Sequence, residues 1–467
     1  MAFLIHLSPV LLVMSMLMVL RRPPVQAAIA GAGLVALLWL IEGWQASAAM
    51  AAAKDTAVLF ASTAFVIVPG LAFVILIERM GVNQALSEWV QALGLKRAEL
   101  VMFIVLGLAP LLEAMTGFGV SLIATVPLLL SLFERRIALR VALTGMAIMP
   151  WGTLGLATVI GAALAHVDAT TLASTSALTS APVFIALAAL ASYLCGVGIS
   201  RALFGSGLLF LTVLYSLSRW LGPEVAGVGA GLSVACATLL LALHRRQGTA
   251  PLAWPRAAWP YLALILCIVL LKGLNALTHL EEAWVVRGMH VAWKPLASPG
   301  IALLLVLMWV RAASSERLLG ALVTRARRPL LTIFFFLGMS QMMVKAGFLD
   351  GLVQMLSDLP QVAVVPLVAL LGGLSGYMTG SNVGGNAIFM PAVALLPESS
   401  RWLLAALQNS AAGHAALGSL SIVMLILGLA STSPEEEGQL VRFGFALACL
   451  NTVLVALAGW VLFGFQG

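Results

Sequence analysis

The stretch Leu111-Leu112-Glu113-Ala114-Met115-Thr116-Gly117-Phe118-Gly119 places one carboxylate and a glycine-broken turn inside an apolar run that otherwise extends from Leu100 to Phe133. A charge in hydrocarbon costs roughly 2.5 kcal/mol or more, so an acidic residue at membrane depth is a functional hypothesis by default. Glu113 is the only acidic residue that the sequence places well inside a membrane-depth segment. The stretch therefore predicts a break in a membrane segment with a functional carboxylate beside it.

Composition assigns the chain to the membrane proteins. Of 467 residues, 62% are hydrophobic and only 9% are charged, and a soluble domain with that composition would precipitate. The formal charge of +7 does not indicate nucleic-acid binding, because the lysines and arginines lie in short loops between apolar runs and form no basic face. Apolar runs recur along the whole length, so residues 1–467 are predicted to form a single transmembrane unit in the lipid bilayer.

The apolar runs predict an all-α polytopic membrane protein with about 12 transmembrane helices. Two further apolar segments, at about 99–133 and 361–397, are too long for one crossing and are interrupted near the middle by Thr-Gly runs, so both are predicted to be re-entrant hairpins. With both termini outside, most of the 25 basic residues fall in cytoplasmic loops, as the positive-inside rule requires. The predicted crossings are about 3–20, 25–42, 57–78, 138–165, 181–199, 202–220, 225–243, 258–278, 297–311, 329–346, 401–430 and 440–463.

The two predicted hairpins share a motif, which indicates an internal repeat. Met115-Thr116-Gly117-Phe118-Gly119-Val120 is echoed by Met378-Thr379-Gly380-Ser381-Asn382-Val383, and an Ala-Leu pair follows each at Ala142-Leu143 and Ala406-Leu407. On the topology above, the first hairpin enters from the cytoplasm and the second from outside, as inverted repeats should. We therefore predict repeat 1 at about 55–165 and repeat 2 at about 328–430.

Polar residues and glycines at such tips predict a binding site near the middle of the membrane. Where a helix stops, its backbone N–H groups face a water-lined cavity, and the start of the next half-helix attracts an anion. Thr379, Ser381, Asn382 and Asn386 stand beside four glycines in the second hairpin. They suit either a carboxylate, through their donors, or a cation, through carbonyl oxygens. An anionic substrate is therefore expected between the two tips.

Two ionisable side chains are candidates for carrying a proton. Glu113 is either a proton-coupling carboxylate or a carboxylate hydrogen-bonded to the backbone at the hairpin break. His414 lies in the span after the second hairpin and is either a proton carrier or a partner in a helix–helix hydrogen bond. In the span after the first hairpin, Pro150-Trp151-Gly152-Thr153 is either a helix break facing the same site or a plain kink.

The motifs resemble the L-lactate permease family of bacterial 2-hydroxy-monocarboxylate symporters. The segment 113–119 looks like the family's Glu-Ala/Gly-Ala-Ala-Gly-Phe-Gly signature, and 379–389 looks like its Thr-Gly-Ser-Asp/Asn run ending in Asn-x-Leu-Phe. Asn409-Ser410-Ala411-Ala412-Gly413 is similar to its Asn-Thr-Ser-Gly-Gly, and Ser421-Ile422 to a Ser-Ile pair. One stretch departs from the pattern, because His414-Ala415-Ala416-Leu417-Gly418-Ser419-Leu420 lacks the lysine and the proline of the family's Gly-Lys-Met-Ile-Ser-Pro-Gln.

The resemblance implies symport of L-lactate or glycolate with protons across the bacterial inner membrane. It also implies kinship to a wider ion-transporter superfamily, whose members with paired hairpins often work as dimeric elevators, so a homodimer is a further expectation. Another organic anion such as a dicarboxylate, with sodium as the coupling ion, is the alternative. The proton-coupling candidates are Glu113 and His414. The expected substrate-binding residues are Thr116, Gly117, Phe118, Gly119, Thr379, Gly380, Ser381, Asn382, Asn386, Asn409 and Ser410.

Other classes of function fit the sequence less well. Gly373-Leu374-Ser375-Gly376 matches the GxSG motif of rhomboid-type serine proteases, and His414 lies one span later, but such a protease needs about half as many spans and leaves the repeat unexplained. A channel also uses broken helices, but it would not accumulate its substrate uphill. The four cysteines show no CxxC spacing, which indicates packing, and the chain has no Walker A motif, so ATP-driven pumping would need another subunit. No metal and no cofactor are expected, and the chain is predicted not to be an enzyme.

Overall fold

The computed structural model describes residues 2–117, 119–245, 255–310, 315–430 and 434–464. This part of the chain is almost entirely α-helical, which confirms the predicted all-α polytopic class. The helices of its first half are α1 (Ala2–Met18), α2 (Pro24–Glu42), α3 (Ala46–Arg79), α4 (Val82–Ala92), α5 (Arg97–Met102), α6 (Ala109–Thr116), α7 (Ser121–Leu132), α8 (Arg135–Thr144), α9 (Gly152–Ala165), α10 (Ala169–Leu194), α11 (Arg201–Trp220) and α12 (Pro223–Arg245).

In its described residues, the second half of the chain contributes nine α-helices and one small pair of strands. The strands β1 (Val286–Arg287) and β2 (Ala292–Trp293) are antiparallel. Short 3-10 helices cover Gly145–Trp151, Arg256–Ala258, Leu280–Ala283 and Pro295–Ala297, and Phe103–Leu108 is a π-helical segment that joins α5 to α6. The α-helices are α13 (Trp259–Thr278), α14 (Pro299–Val310), α15 (Ser315–Lys345), α16 (Asp350–Ser357), α17 (Gln361–Thr379), α18 (Asn382–Ala394), α19 (Glu398–Ala416), α20 (Leu420–Ala430) and α21 (Pro434–Gly464).

Within the described ranges, 11 helices are long and apolar enough to cross a membrane, or up to 12 if the bent pair Leu318–Lys345 and Asp350–Ser357 is one span. The number agrees with the sequence prediction, but its members differ. Arg97–Thr116 and Gln361–Thr379, the first arms of the two predicted hairpins, are each long enough to cross. By contrast α1 and α14, both predicted as crossings, are shorter apolar helices.

Each predicted hairpin is a long arm, a break and a short arm. The first hairpin (97–132) breaks between α6 and α7, and the second hairpin (361–394) breaks between α17 and α18. Each long arm ends at a glycine with positive φ, Gly117 at 69° and Gly380 at 64°, a backbone conformation that residues with a Cβ avoid. We call the segments 116–121 and 379–382 the first tip and the second tip. Both breaks lie at the Thr-Gly motifs that predicted them.

The helix after each hairpin is also broken, whereas the sequence predicted single crossings at 138–165 and 401–430. Between α8 and α9 the chain forms a 3-10 turn over Gly145–Trp151, and Thr153, Leu154 and Gly155 then have left-handed backbone angles. Pro150 has no N–H to donate to a helix, so the α-helical hydrogen bonding cannot continue through it. The Pro150-Trp151-Gly152-Thr153 motif is therefore a true break and not a plain kink. The second crossing is divided at residues 417–419, between α19 and α20.

Helix α10 begins much earlier in the chain than predicted. It covers Ala169–Leu194, whereas its apolar run predicted a crossing at 181–199. Asp168 begins the helix as its N-cap, because its carboxylate accepts a hydrogen bond from the N–H of Thr171 at 2.8 Å. The first half of α10 is rich in serine and threonine, and several of these side chains are buried against other helices.

The hairpins and the broken helices lie at the centre of the molecule. In the apolar windows of Arg97–Thr116 and Arg135–Ala165, 83% and 89% of the residues are buried, compared with 28% for α11 and for α13. The first hairpin packs against α12, and α18 of the second hairpin packs against α9. Helix α17 packs on α19 and α21, while α3, α15 and α2 form a neighbouring bundle. This arrangement brings the two tips to the same place in the core.

Candidate functional site

A small cavity lies between Glu113 of α6, the break before α9 and the second tip. Its volume is about 30 Å³, which is enough for a water molecule but too small for a three-carbon acid. We call it the central cavity. It brings together residues of both predicted hairpins and of the Pro150-Trp151-Gly152-Thr153 break, as the sequence predicted for that motif. Its lining residues are Glu113, Met149, Gly152, Thr153, Ala157, Gly380, Ser381, Asn382 and Val383.

Glu113 is held by the first tip itself. Its side chain is buried, with 1% of its surface exposed. One carboxylate oxygen, Oε1, accepts a hydrogen bond from the backbone N–H of Gly119 at 3.1 Å, and Oε2 accepts one from the Ser121 hydroxyl at 2.7 Å. The carboxylate therefore lies at the start of α7, where the positive end of the helix dipole favours a negative charge. The backbone-bonded arrangement is present, and proton coupling by Glu113 stays a prediction.

Gly117 allows the first tip to meet the break before α9. Its backbone angles, φ 69° and ψ −175°, lie in a region that essentially only glycine adopts. A Cβ at this position would overlap with Oγ1 of Thr153. The first tip and the α9 break are therefore in direct contact. Phe118, which the sequence places among the expected substrate-binding residues, lies outside the described residues.

The second tip presents the start of a helix without a charged partner. Ser381 is the N-cap of α18, and its hydroxyl oxygen accepts a hydrogen bond from the N–H of Gly384 at 3.4 Å. The first helical residues, Asn382 and Val383, line the central cavity together with Ser381. Backbone N–H groups in the first turn of a helix have no partner within that helix. The second tip thus directs donor groups towards the cavity on the side opposite Glu113.

The two tip threonines point to their own backbone. The Thr116 hydroxyl donates to the carbonyl of Leu112 at 2.6 Å, and the Thr379 hydroxyl lies 2.8 Å from the carbonyl of Ser375 and 2.9 Å from that of Ser381. Neither threonine lines the central cavity. In this arrangement both hydroxyls stabilise the ends of the long arms, so their expected role in substrate binding has no support from the geometry.

Asn409 of α19 is the hub of a buried amide network. Its Oδ1 accepts hydrogen bonds from Nδ2 of Asn382 at 3.1 Å and from Nδ2 of Asn386 at 2.9 Å. Its own Nδ2 donates to Oγ1 of Thr158 and to Oγ of Ser176, both at 3.0 Å. Asn409 therefore connects α18, α9 and α10, and all four of its hydrogen-bonding positions are used within the protein. It positions Asn382, while it does not itself line the cavity.

A hydrogen bond between Thr158 and Pro150, at the break before α9, fixes the direction of the hydrogen bonds that Asn409 makes. The Thr158 hydroxyl donates to the carbonyl of Pro150 at 2.7 Å, so its oxygen is left to accept from the Asn409 amide nitrogen. Because the Asn409 nitrogen faces Thr158, the Asn409 oxygen faces Asn382 and Asn386. Both of these amides must then donate to it through their nitrogens. A second contact gives the same orientation for the Asn386 amide, because its Nδ2 also donates to the carbonyl of Ala157 at 3.1 Å. The amide oxygens of Asn382 and Asn386 consequently point away from Asn409.

Ser410 and His414 lie away from the central cavity. The Ser410 hydroxyl contacts those of Thr179 at 2.7 Å and Ser180 at 3.1 Å on α10. His414 is completely buried, packs edge-on against the ring of Phe184, and has no hydrogen-bond partner for either ring nitrogen among the residues that the structure describes. Neither residue lines the cavity, so substrate binding by Ser410 and proton coupling by His414 stay predictions.

Several residues of the site were not found from the sequence. Ser121 and Thr153 contact Glu113 and Gly117 respectively, and the hydroxyl-rich first half of α10 supplies the partners of Asn409 and Ser410. The density of serine and threonine over residues 170–180 was a usable signal, because buried hydroxyls in membrane helices pair with polar groups on neighbouring helices. The residues that the sequence did not indicate are Ser121, Thr158, Ser176, Thr179 and Ser180, whereas Thr153 belongs to the break motif named above.

Glu113 is not the only buried carboxylate within a helix of the described chain. Helix α3 begins at Ala46, so Asp55 lies inside it, and its side chain is fully buried. Its carboxylate accepts hydrogen bonds from the N–H groups of Met289 at 2.6 Å and His290 at 3.0 Å, and Nδ1 of His290 is 3.0 Å away. Lys345 lies near this group, 3.9 Å from the carboxylate. Asp55 of α3 is thus paired with the loop after α13, which lies far from it along the chain.

The GxSG motif does not form a nucleophile–base pair. The Ser375 hydroxyl donates to the carbonyl of Gly372 at 2.9 Å and accepts from Nε2 of Gln408 at 3.3 Å. His414, the proposed base, makes no ring hydrogen bond in the described part of the chain. A serine hydrolase needs its nucleophile and base within hydrogen-bonding distance. The protease alternative therefore lacks its central contact.

Comparison with known proteins supports transport. The family model described as L-lactate permease matches residues 286–463, which contain the second hairpin, Asn409 and His414. The structure of the Alcanivorax borkumensis YdaH transporter aligns with a TM-score of 0.45 and 16% identity over 89% of this chain and 88% of that one; a likeness at this level supports no conclusion about this chain. No curated protein matches the sequence. Residues 286–463 are thus similar to the L-lactate permease family, as the sequence motifs indicated, and this similarity supports a membrane transporter.

Proposed function

We propose that the protein is a proton-coupled symporter of a small 2-hydroxy monocarboxylate, L-lactate or glycolate, in the bacterial inner membrane. One observation carries the proposal: Glu113 and the uncharged helix start of the second tip line the same cavity. The first feature can take a proton and the second can take an anion. A symporter for a proton and a carboxylate needs both in one place.

The second tip supplies the anion site of the proposal. Helix α18 runs for 13 residues from its N-cap Ser381, and the N-terminus of a helix attracts anions through its free N–H groups and its dipole. The Ser381 hydroxyl hydrogen is available for a further bond, because the hydroxyl oxygen acts as the acceptor from Gly384. A substrate carboxylate at this position would receive donors from the backbone and from Ser381.

Glu113 supplies the coupling step of the proposal. If its carboxylate were ionised while a substrate anion occupied the same cavity, the two charges would repel by about 4 kcal/mol at 4 Å with an effective dielectric constant of 20. Protonation of Glu113 removes this repulsion. Proton binding and anion binding therefore favour each other, and the two ligands move together across the membrane. The same side chain, when protonated, can donate a hydrogen bond to the substrate.

The small cavity and the predicted repeat fit alternating access. A cavity of about 30 Å³ must widen before a lactate-sized anion enters. After each tip the chain follows the same order of elements, a short arm, a broken helix and a long helix, ending in α10 in one case and α21 in the other. We propose that repeat 1 (about 55–165) and repeat 2 (about 328–430) are inverted halves that open the site to either side, within a homodimer.

Sodium-coupled transport of another organic anion, such as a dicarboxylate, is the second candidate. It is favoured by two buried amide oxygens, Oδ1 of Asn386 and Oε1 of Gln408, which have no hydrogen-bond partner within the described ranges. Uncharged oxygens of this kind suit a small hard cation. Counterflow in proteoliposomes with and without sodium at fixed pH separates the two coupling ions.

Uptake into proteoliposomes tests the function directly. Purified protein is reconstituted, an inward proton gradient is imposed, and accumulation of labelled L-lactate, glycolate and a panel of dicarboxylates is measured. The proposal expects uphill uptake of L-lactate or glycolate that a protonophore abolishes. Uphill uptake of a dicarboxylate alone, or uptake that follows sodium and ignores the proton gradient, would replace the proposal with the second candidate. Ion current without accumulation would indicate a channel.

A further inference from the structure

The amide oxygen of Asn382 is a hydrogen-bond acceptor that the protein leaves unused. Only 3% of the residue's surface is exposed, and Oδ1 has no partner among the described residues. A buried polar atom without a hydrogen bond is costly and is uncommon in folded proteins. Asn382 is also one of the residues that line the central cavity. The position therefore combines a proposed ligand site with an unsatisfied acceptor.

The orientation of this amide does not depend on a free choice of rotamer. The Pro150 carbonyl fixes the Thr158 hydroxyl, Thr158 fixes the Asn409 amide, and Asn409 fixes the nitrogen of Asn382. Rotating the Asn382 amide by half a turn would bring its oxygen against the oxygen of Asn409, which is repulsive. Asn382 therefore presents an oxygen, not a nitrogen, to any ligand that approaches from the cavity.

An acceptor at this place suits a particular kind of ligand group. Asn382 is the first residue of α18, so its amide adjoins the N–H groups to which we assign the substrate carboxylate. A group that binds Oδ1 must donate a hydrogen and must lie close to that carboxylate. A hydroxyl on the carbon next to the carboxylate meets both conditions. A 2-oxo group offers only acceptors, and an unsubstituted acid offers nothing at this carbon.

The geometry points to Asn382 as the residue that selects 2-hydroxy acids, by accepting a hydrogen bond from the 2-hydroxyl group at Oδ1. This inference rests on the proposed function. It assigns the preference for 2-hydroxy acids to one atom, Oδ1 of Asn382. It also changes the expected role of Asn382, which the sequence indicated as a donor to the carboxylate. A site that binds a substrate hydroxyl through a buried group rejects analogues without the hydroxyl by a large factor, because the buried group is then left unpaired.

Competition in reconstituted vesicles tests the selectivity. Uptake of labelled L-lactate is measured against unlabelled L-lactate, propionate and pyruvate, which differ at the 2-position alone. For the wild-type protein we expect propionate and pyruvate to compete at least about tenfold more weakly than L-lactate. In Asn382→Leu, which has no acceptor, we expect the three acids to come within about threefold of one another, with a raised KM for L-lactate.

Asn386→Leu is the matched control. Asn386 donates to the same Asn409 oxygen as Asn382 does, but it does not line the cavity. It therefore reproduces the damage to the amide network, and we expect it to weaken uptake of all three acids alike while the wild-type preference remains. This comparison separates a selecting residue from one that merely supports the fold.

The possible failures are distinguishable. If the wild-type protein takes up L-lactate but propionate competes equally well, the selecting role is wrong and the proposed function stands. The role is equally wrong if Asn382→Leu keeps the wild-type preference, or if Asn386→Leu loses it. If no monocarboxylate is taken up, the proposed function fails first. Should Asn382→Leu not fold, the wild-type protein still tests the role, because propionate or pyruvate competing as well as L-lactate would overturn it.

Discussion

In both tips the long arm ends at a Thr-Gly pair whose glycine has positive φ, but the two tips differ in charge. In the first tip the start of α7 is occupied by the protein's own carboxylate, Glu113, through the N–H of Gly119 and the hydroxyl of Ser121. In the second tip the start of α18 has only the neutral cap Ser381. The helices that follow the tips differ as well. Met146 and Asn409 lie the same number of residues after Thr116 and Thr379, respectively, and these two side chains differ in kind. Met146 gives the first tip a thioether, with Sδ 3.3 Å from the Ser121 hydroxyl, whereas Asn409 gives the second an amide hub.

On the proposed function, this difference lets one fold bind two ligands of opposite charge at one cavity. The first tip holds the carboxylate of Glu113, to which we assign the proton. The second tip has the helix start to which we assign the anion. A site made from two identical tips would hold two anions or two acids. It would not couple one to the other.

The largest expected effect concerns the tip glycines. Gly117→Ala should destabilise the protein by about 3 kcal/mol or more, because its backbone angles belong to glycine alone and its Cβ would overlap with Thr153. Gly380→Ala should cost about 1 kcal/mol from its left-handed conformation, and somewhat more from a Cβ contact of 2.9 Å with Ser421. Thermal unfolding in detergent measures the two variants, with Gly33→Ala as the control in open space. Equal losses of stability in Gly117→Ala and Gly380→Ala would mean that the two tip glycines are under the same constraint.

The second prediction compares the residues behind the tips. Asn409→Leu should destabilise the protein by about 3 kcal/mol, because it leaves the amides of Asn382 and Asn386 and the hydroxyls of Thr158 and Ser176 without their partner. Met146→Leu conserves volume and should cost less than about 1.5 kcal/mol. Unfolding midpoints and initial rates of L-lactate uptake report both. An Asn409→Leu protein as stable and active as Met146→Leu would show that the network does not position Asn382.

Ser121→Ala is expected to have a smaller effect than Gly117→Ala or Asn409→Leu. It removes the donor to Oε2 of Glu113 and leaves the N–H of Gly119 on Oε1, so a loss of about 1–3 kcal/mol in stability is expected. Uphill uptake should persist at a reduced rate, since the carboxylate remains. Complete loss of uphill uptake in a well-folded Ser121→Ala protein would contradict this, and would assign proton coupling to Glu113 and the Ser121 hydroxyl together.

Much of this asymmetry was predictable from the sequence, and the rest required tertiary contacts. The Thr-Gly motifs placed both breaks, and the lone Glu113 beside one of them indicated which tip is charged. The hydroxyls of α10 were missed because serine and threonine lower the hydropathy of residues 169–180, so the apolar run began only at 181. Sequence does not distinguish a buried hydroxyl from an exposed one until its partner, here Asn409 or Ser410, is known.

The chain also shows where a pattern of residues is ambiguous. Pro150-Trp151-Gly152-Thr153 fits a kink or a break, and only the left-handed angles of Thr153 and Leu154 decide for a break. Asp55 fell outside the predicted crossing because α3 begins at Ala46, well before its most apolar part. In both cases the helix boundary depends on contacts with distant segments, which no local pattern contains.

The most direct test of the account is the Glu113→Gln variant, assayed for two activities in the same proteoliposomes. Glutamine keeps the shape of the side chain but cannot gain or lose a proton. Its amide oxygen can still accept from the N–H of Gly119, while its amide nitrogen would have to donate to the Ser121 hydroxyl. The account predicts that proton-driven uphill uptake of L-lactate is abolished, while exchange of labelled for unlabelled L-lactate across the membrane remains measurable. Uphill uptake at the wild-type level in Glu113→Gln would contradict the assignment of the two tips to a proton and an anion.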